Sequence, residues 1–184
     1  MREIADSYGK DIRIVLHYTN IEDNEEVDTM AANLKEYGVD YDIFGLSYYP
    51  FWDGTNENMQ NVAKNIMDRY GKKVVIAETS YCYTEKDGDG FGNSFDGIED
   101  AVDGYAPTVQ SQATMIRDIC AAANEVGVLG VFYWEGTWIP VGSEDQDNSA
   151  LWEKYGSGWA SSYSAEYDPD DAGLYYGGCS WDNQ

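Results

Sequence analysis

A chain of 184 residues with 43% apolar and 15% aromatic side chains can bury one substantial core, and a formal charge of -23 leaves few cations to neutralise phosphates. Nucleic acid and anionic membrane surfaces are thereby disfavoured as partners, because such affinity rests on Lys and Arg. No run approaches the roughly twenty apolar residues of a membrane span, and Met1-Arg2-Glu3-Ile4-Ala5-Asp6 lacks the apolar stretch of a signal peptide. The acidity reads as solvated surface suited to an extracellular or high-salt setting.

The first apolar run, Ile12 to His17, reads as a buried strand ending in the chain's only histidine. Val27, Met30 and Leu34 follow as the stripe of an amphipathic helix. A second strand is predicted from Ile43 to Tyr49, running into Pro50-Phe51-Trp52. The next helix carries Met59, Val62, Ala63, Ile66, Met67 and Tyr70, and a third strand, Val74 to Glu78, ends in a carboxylate. Ala113, Ile116, Cys120 and Ala123 mark a third helix, and Val128 to Trp134 a fourth strand. Beyond Trp134 the Gly-, Ser-, Tyr-, Trp- and Asp-rich sequence shows no convincing helix and reads as a long loop.

Strands starting at Ile12, Ile43 and Val74 are about 31 residues apart, the length of one strand-helix unit in a parallel sheet. Continuous apolar strands require cover on both faces, which restricts the fold to a doubly wound sheet or a (β/α)8 barrel. No G-x-G-x-x-G follows the first strand, where His17-Tyr18-Thr19-Asn20 stands, so a dinucleotide fold is disfavoured. Chemistry gathered at the C-terminal ends of strands favours the barrel. A whole barrel needs about 250 residues and eight strands; four strands predict half of one.

Strict alternation would place Val74, Ile76 and Glu78 on one side of the third strand, presenting Glu78 at the barrel mouth. Trp134 ends the fourth strand, Tyr48, Tyr49 and Trp52 end the second, and His17 ends the first. Aromatic faces beside a carboxylate suit sugar rings, whose axial C–H groups pack on π-faces while their hydroxyls seek polar side chains. The competing readings are a solvated strand-end Glu and ordinary aromatic core packing. In Asp87-Gly88-Asp89-Gly90-Phe91-Gly92-Asn93, oxygen donors at alternate positions can wrap a hard cation, and a plain solvated turn is the alternative. The acidic stretches Ile98 to Asp103 and Ser143 to Asn148 read as solvated loops. Cys120 is expected in the core, leaving Cys82 and Cys179 as the plausible pair for at most one disulfide.

The segments Phe44-Gly45-Leu46-Ser47-Tyr48-Tyr49-Pro50, Ile76-Ala77-Glu78-Thr79 and Gly130-Val131-Phe132-Tyr133-Trp134-Glu135, in this order, resemble the endo-β-1,4-galactanases of glycoside hydrolase family 53. The closing Gly177-Gly178-Cys179-Ser180-Trp181-Asp182-Asn183-Gln184 is similar to that family too. The resemblance implies that residues 1–184 are a partial catalytic domain, the C-terminal half of a TIM (β/α)8 barrel, with strands five to eight present. It implies Glu78 as the nucleophile of a retaining hydrolase of β-1,4-galactan, and Trp134 as the floor of the sugar subsite at the cleaved bond. His17, Tyr48, Tyr49 and Trp52 are the remaining candidate substrate-binding residues.

By the same resemblance a structural Ca2+ is held by Asp87, Asp89, Asn93 and Asp182 with the carbonyls of Phe91 and Cys179, and the protein is secreted. The family's acid/base glutamate lies in a Gly-Asn-Glu motif, a tripeptide that does not occur in this sequence. Glu135 adjoins Trp134, and neighbouring strand residues face opposite ways, so it is no substitute. The chain alone is therefore expected to be inactive, and its open strand edges to favour self-association. The rival readings are a non-catalytic galactan-binding protein and a retaining β-glycanase of another barrel family.

Overall fold

In the computed structural model the described residues are 1–86, 88, 95, 97–134, 136, 142–143 and 145–155. They fall into two compact units, Met1–Thr79 with Arg117–Tyr133, and Ser80–Ile116 with Trp134–Gln184. The elements in chain order are α1 (Arg2–Ser7), β1 (Val15–Tyr18), α2 (Asn24–Glu36), β2 (Ile43–Ser47), α3 (Asn56–Tyr70), β3 (Lys73–Thr79), a 3-10 turn (Ile98–Asp100), α4 (Val109–Val126), β4 (Val131–Tyr133) and α5 (Ser149–Tyr155). Among the described residues no helix is long and apolar enough to cross a membrane.

The first unit holds a sheet ordered β1-β2-β3-β4 with every neighbouring pair parallel. Sequential order without a reversal departs from the doubly wound pattern, in which the strand order turns back on itself at a switch point. Phe44 and Leu46 of β2 share one face with Val74 and Ile76 of β3, and all four are at most 1% exposed. Val27 and Ala31 of α2 and Met59, Val62, Ala63 and Ile66 of α3 add the helical part of this core.

Local polar groups set the element ends. The Ile14 N–H donates to the Asp42 carboxylate at 2.8 Å, and β1 begins one residue later, not at Ile12. The Tyr49 N–H donates to the Asp53 carboxylate at 2.7 Å, so β2 stops at Ser47 and the chain turns. Val128 donates its N–H to Ala123 O, closing the end of α4, which leaves β4 only Val131–Tyr133. Asp23 and Thr55 cap α2 and α3 by accepting from Glu26 N and Asn58 N, and Gly71, at φ 65°, ends α3 in the left-handed conformation that glycine adopts without strain.

Several expected elements are corrected. Met30 is exposed, and Ala31 takes its place in the core. On α4 the buried residues are Met115, Ile119 and Ala123, while Cys120 is exposed. The apolar stripe is thus turned relative to the one expected; Gln60 of α3 donates to Ala122 O and Glu125 Oε2 at 3.0 Å, fixing which side of α4 meets α3. After Trp134 the segment expected to be loop contains α5.

Asp28 of α2 ties α2 to α3. Its Oδ1 accepts from Tyr70 Oη at 2.6 Å, Asn65 Nδ2 at 2.8 Å and Arg69 at 2.6 Å. The Tyr70 hydroxyl foremost holds the Asp28 carboxyl below its ordinary range; burial opposes it, and the Asn65 and Arg69 donors add to the lowering. Asp28→Ala should cost about 1–3 kcal/mol at neutral pH, measured by urea unfolding. Because the folded-state pKa is depressed, this contribution is complete above pH about 4 and is lost as pH falls through the folded value. The gap between variant and parent should therefore close in acid; a gap that persists at low pH would assign the effect to packing.

Candidate carbohydrate-active site

Glu78 lies at the C-terminal end of β3, but alternation does not place it. The β2–β3 register runs Phe44↔Val74, Gly45↔Val75, Leu46↔Ile76 and then jumps to Ser47↔Glu78. One extra residue on β3 is the signature of a bulge. Ser47 alternates with Leu46 across β2, so its partner Glu78 emerges on the face opposite Leu46 and Ile76. The expectation that Val74, Ile76 and Glu78 share a side is thus corrected, although the carboxylate still stands at the strand end.

Three neighbours surround that carboxylate. Ser47 Oγ donates to Glu78 Oε2 at 3.1 Å, and Tyr49 Oη donates to the same oxygen at 3.1 Å. The other oxygen, Oε1, lies 3.7 Å from His17 Nδ1. His17 Nε2 is in turn 2.8 Å from Ser47 Oγ. The backbone joins in, with Tyr48 N–H donating to Glu78 O at 2.9 Å. Two donors on Oε2 hold the carboxylate in one orientation, with Oε1 turned toward His17.

Close strand packing makes room for this cluster. A Cβ on Gly45 would sit 3.0 Å from Val15 Cγ1 and 3.4 Å from both Ala77 Cβ and His17 Cα. Any side chain there would press on the backbone that carries His17.

Tyr49 is set by the turn after β2. Asp53 N–H and Trp52 N–H both donate to Tyr49 O, while the Asp53 carboxylate accepts from Tyr49 N–H. Asp53 is 6% exposed, and burial pushes its carboxyl pKa up against the opposing pull of the Tyr49 amide. Trp52 is half exposed and rests on Phe51 and Tyr49, with ring centroids 4.8 Å and 5.4 Å away. Tyr49, Trp52 and Asp53 line a cleft of about 430 Å3 together with Asn20, Glu22 and Glu26. An aromatic face with carboxylates and a carboxamide around it is the composition that binds sugar rings.

The structure thus brings His17, Tyr49 and Glu78 together, with Trp52 packed at a tilt against Tyr49. Tyr48 departs from its expected role. It is fully buried, and its hydroxyl donates to Gly54 O and meets Asn56 Oδ1, both at 3.1 Å, so its ring offers no face to a sugar. Trp134 follows β4 directly, is partly buried and belongs to the second unit. Ser47 and Asp53 were missed by sequence reading; the only signal for Ser47 was its place in the Phe44-to-Pro50 segment.

In the second unit Tyr81 organises the described part of the segment after β3. It is fully buried, its hydroxyl donates to Tyr105 O at 2.6 Å and accepts from Val102 N–H at 3.0 Å, and its ring packs on Phe95 and Tyr105. Cys82 beside it has no disulfide partner among the described residues, the pairing expected with Cys179 lying outside them, and burial pushes its thiol pKa up to about 12. The expected cation ligands Asp87, Asp89, Phe91, Asn93, Cys179 and Asp182, and Glu135, lie outside the described residues. Of the two acidic stretches, the first begins with the 3-10 turn, and in the second Asn148 is buried, exchanging hydrogen bonds with both Ser143 N–H and Ser143 O. Among the described residues no group of three or more His, Cys, Asp or Glu is placed to hold a metal.

The parallel sheet thus carries a hydrogen-bonded carboxylate at the end of a strand, beside an aromatic cleft. Residues 2–184 match the model of glycosyl hydrolase family 53, and the chain belongs to that family. It is 52% identical over 180 residues to the endo-β-1,4-galactanase of Bacillus subtilis, covering 96% of this chain and 42% of that protein. It is 33% identical to the arabinogalactan endo-β-1,4-galactanase of Cellvibrio japonicus, covering 86% of this chain and 40% of that one. Among solved structures, the Ignisphaera aggregans family 53 catalytic domain aligns with a TM-score of 0.66 at 38% identity, over 71% of this chain and 37% of that domain. The chain therefore spans about two-fifths of the length of these relatives.

Proposed function

We propose that the protein carrying this chain is a retaining endo-β-1,4-galactanase and that Glu78 is its nucleophile. The observation that carries this reading is the carboxylate of Glu78, held through Oε2 by Ser47 and Tyr49 at the end of β3 with Oε1 left to react, in a chain of family 53. In the first step a lone pair of Oε1 bonds to the anomeric carbon. The glycosidic C–O bond breaks with its electrons on the departing oxygen, which takes a proton from a second carboxyl group. Water then attacks the same carbon, the deprotonated second carboxyl removes its proton, and the ester electrons return to Glu78. In this reading the four strands are strands five to eight of a (β/α)8 barrel, and the acid/base is a glutamate outside this chain, so the chain alone is inactive.

Trp52 and the cleft beside it form one sugar-binding surface and Trp134 another. Reducing-sugar release by the full-length protein from β-1,4-galactan, set against mannan and cellulose, tests the assignment. Release from mannan or cellulose alone would replace the sugar, and binding to galactan without release would replace the chemistry.

The proposal extends to a structural Ca2+ and to secretion. The donor set of Asp87, Asp89, Asn93 and Asp182, with the carbonyls of Phe91 and Cys179, is all oxygen, the chemistry a hard cation selects. Bound Ca2+ would tie the loop after β3 to the chain end. Chelation should lower the melting temperature and Ca2+ restore it; a melting temperature indifferent to both would remove the metal. The outer strands β1 and β4 expose Val15 and Phe132, favouring self-association of the isolated chain, which a monodisperse monomer in light scattering would refute.

A further inference from the structure

We propose that Ser47 is a positioning residue whose hydroxyl links His17 to Glu78, fixing the imidazole as its Nε2–H tautomer and the Glu78 carboxylate in the orientation that leaves Oε1 to react. The purpose of the link rests on Glu78 being the nucleophile; the proton arrangement rests on geometry alone.

Ser47 is 3% exposed, so water does not compete for its hydroxyl. That hydroxyl has a single proton and two neighbours, Glu78 Oε2 at 3.1 Å and His17 Nε2 at 2.8 Å. An ionised carboxylate only accepts hydrogen bonds. The proton of Ser47 therefore points at Oε2, and the Ser47 lone pair faces Nε2, which must carry a proton of its own. The reverse arrangement, with Ser47 donating to the ring, would set a hydroxyl lone pair against a carboxylate oxygen at 3.1 Å. Nδ1 does not compete, since 3.7 Å to Oε1 is beyond hydrogen-bonding reach. The bulge makes the link possible, because it puts Ser47 in register with Glu78 while His17 is in register with Gly45, the residue two before Ser47. Glycine at that position lets β1 approach closely enough for the ring to reach Ser47.

His17 is this chain's only histidine, and in the full-length protein its two ring 15N resonances are the pair that disappears in His17→Gln. With the 15N-labelled full-length protein, on the alkaline plateau where the His17 resonances no longer move with pH, long-range 1H–15N correlation should show Nε2 protonated and Nδ1 bare. Ser47→Ala should shift the two resonances in opposite directions as the proton moves toward Nδ1, which faces Glu78 Oε1. Tyr49→Phe removes the other donor to Glu78 and should leave the His17 resonances in place, and Ser47→Thr, which keeps a hydroxyl, should hold them near the parent values. A protonated Nδ1 in the parent overturns the proposal without any variant. Resonances unchanged in a folded Ser47→Ala, judged by its thermal unfolding, overturn it as well. Neither measurement reads galactan hydrolysis, so a failed galactanase assignment would leave the proton arrangement to stand or fall by itself.

Discussion

Glu78→Ala in the full-length protein should lower galactan hydrolysis by about three orders of magnitude or more, the scale of removing a nucleophile that acts with its neighbours as a unit. The same variant yields a positive signal. Truncation opens a space bordered by Ser47, Tyr49 and His17, each a hydrogen-bond partner or close neighbour of the lost carboxylate. A small anion such as azide can enter there and attack the anomeric carbon from the vacated side. With an activated β-galactoside the product should be the α-azide, inverted relative to the substrate, with part of the lost rate restored. Full activity in Glu78→Ala would remove Glu78 from the mechanism. A β-azide would mean that the anion enters from the other face and that Glu78 serves as something other than a nucleophile.

The second large effect falls on stability. Tyr48→Ala should cost about 3–5 kcal/mol, as expected for emptying an aromatic site in a packed core. Tyr48→Phe should cost about 1–2 kcal/mol, because Gly54 O and Asn56 Oδ1 then lose a buried donor. Both losses are read from denaturant midpoints. Tyr48→Phe should leave the KM for galactan unchanged, since the ring has no exposed face. A raised KM with unchanged stability would return Tyr48 to the substrate cleft.

Tyr48 and Tyr49 also illustrate what could be read beforehand. Two adjacent aromatics on a strand must face opposite ways, but nothing in Ser47-Tyr48-Tyr49 says which one faces the core. That is decided by Asp53 and Asn56, which receive the Tyr49 amide and meet the Tyr48 hydroxyl. The helix α3 was legible because Met59, Val62, Ala63 and Ile66 form a continuous stripe with no rival. On α4, Ala113, Ile116 and Cys120 compete with Met115 and Ile119 at similar spacing, and the contact with Gln60 of α3 breaks the tie. The place of Glu78 at the end of an apolar strand is legible in the sequence, but its face is not, because a bulge leaves no trace in the spacing of Val74, Ile76 and Glu78. The Ser47 link was out of reach for the same reason, since it exists only in the shifted register.

The bulged register also has a mechanical consequence. Ser47, the last residue of β2, and the two residues after it grip one residue of β3: Ser47 by its hydroxyl, Tyr48 by its amide and Tyr49 by its phenol all bind Glu78. Opening of the sheet at Tyr48 therefore also removes the partners of the carboxylate, because the same tripeptide holds the peptide of Glu78 and its side chain. The rate at which the Tyr48 amide proton exchanges with solvent should then gauge how often the site falls out of its working geometry.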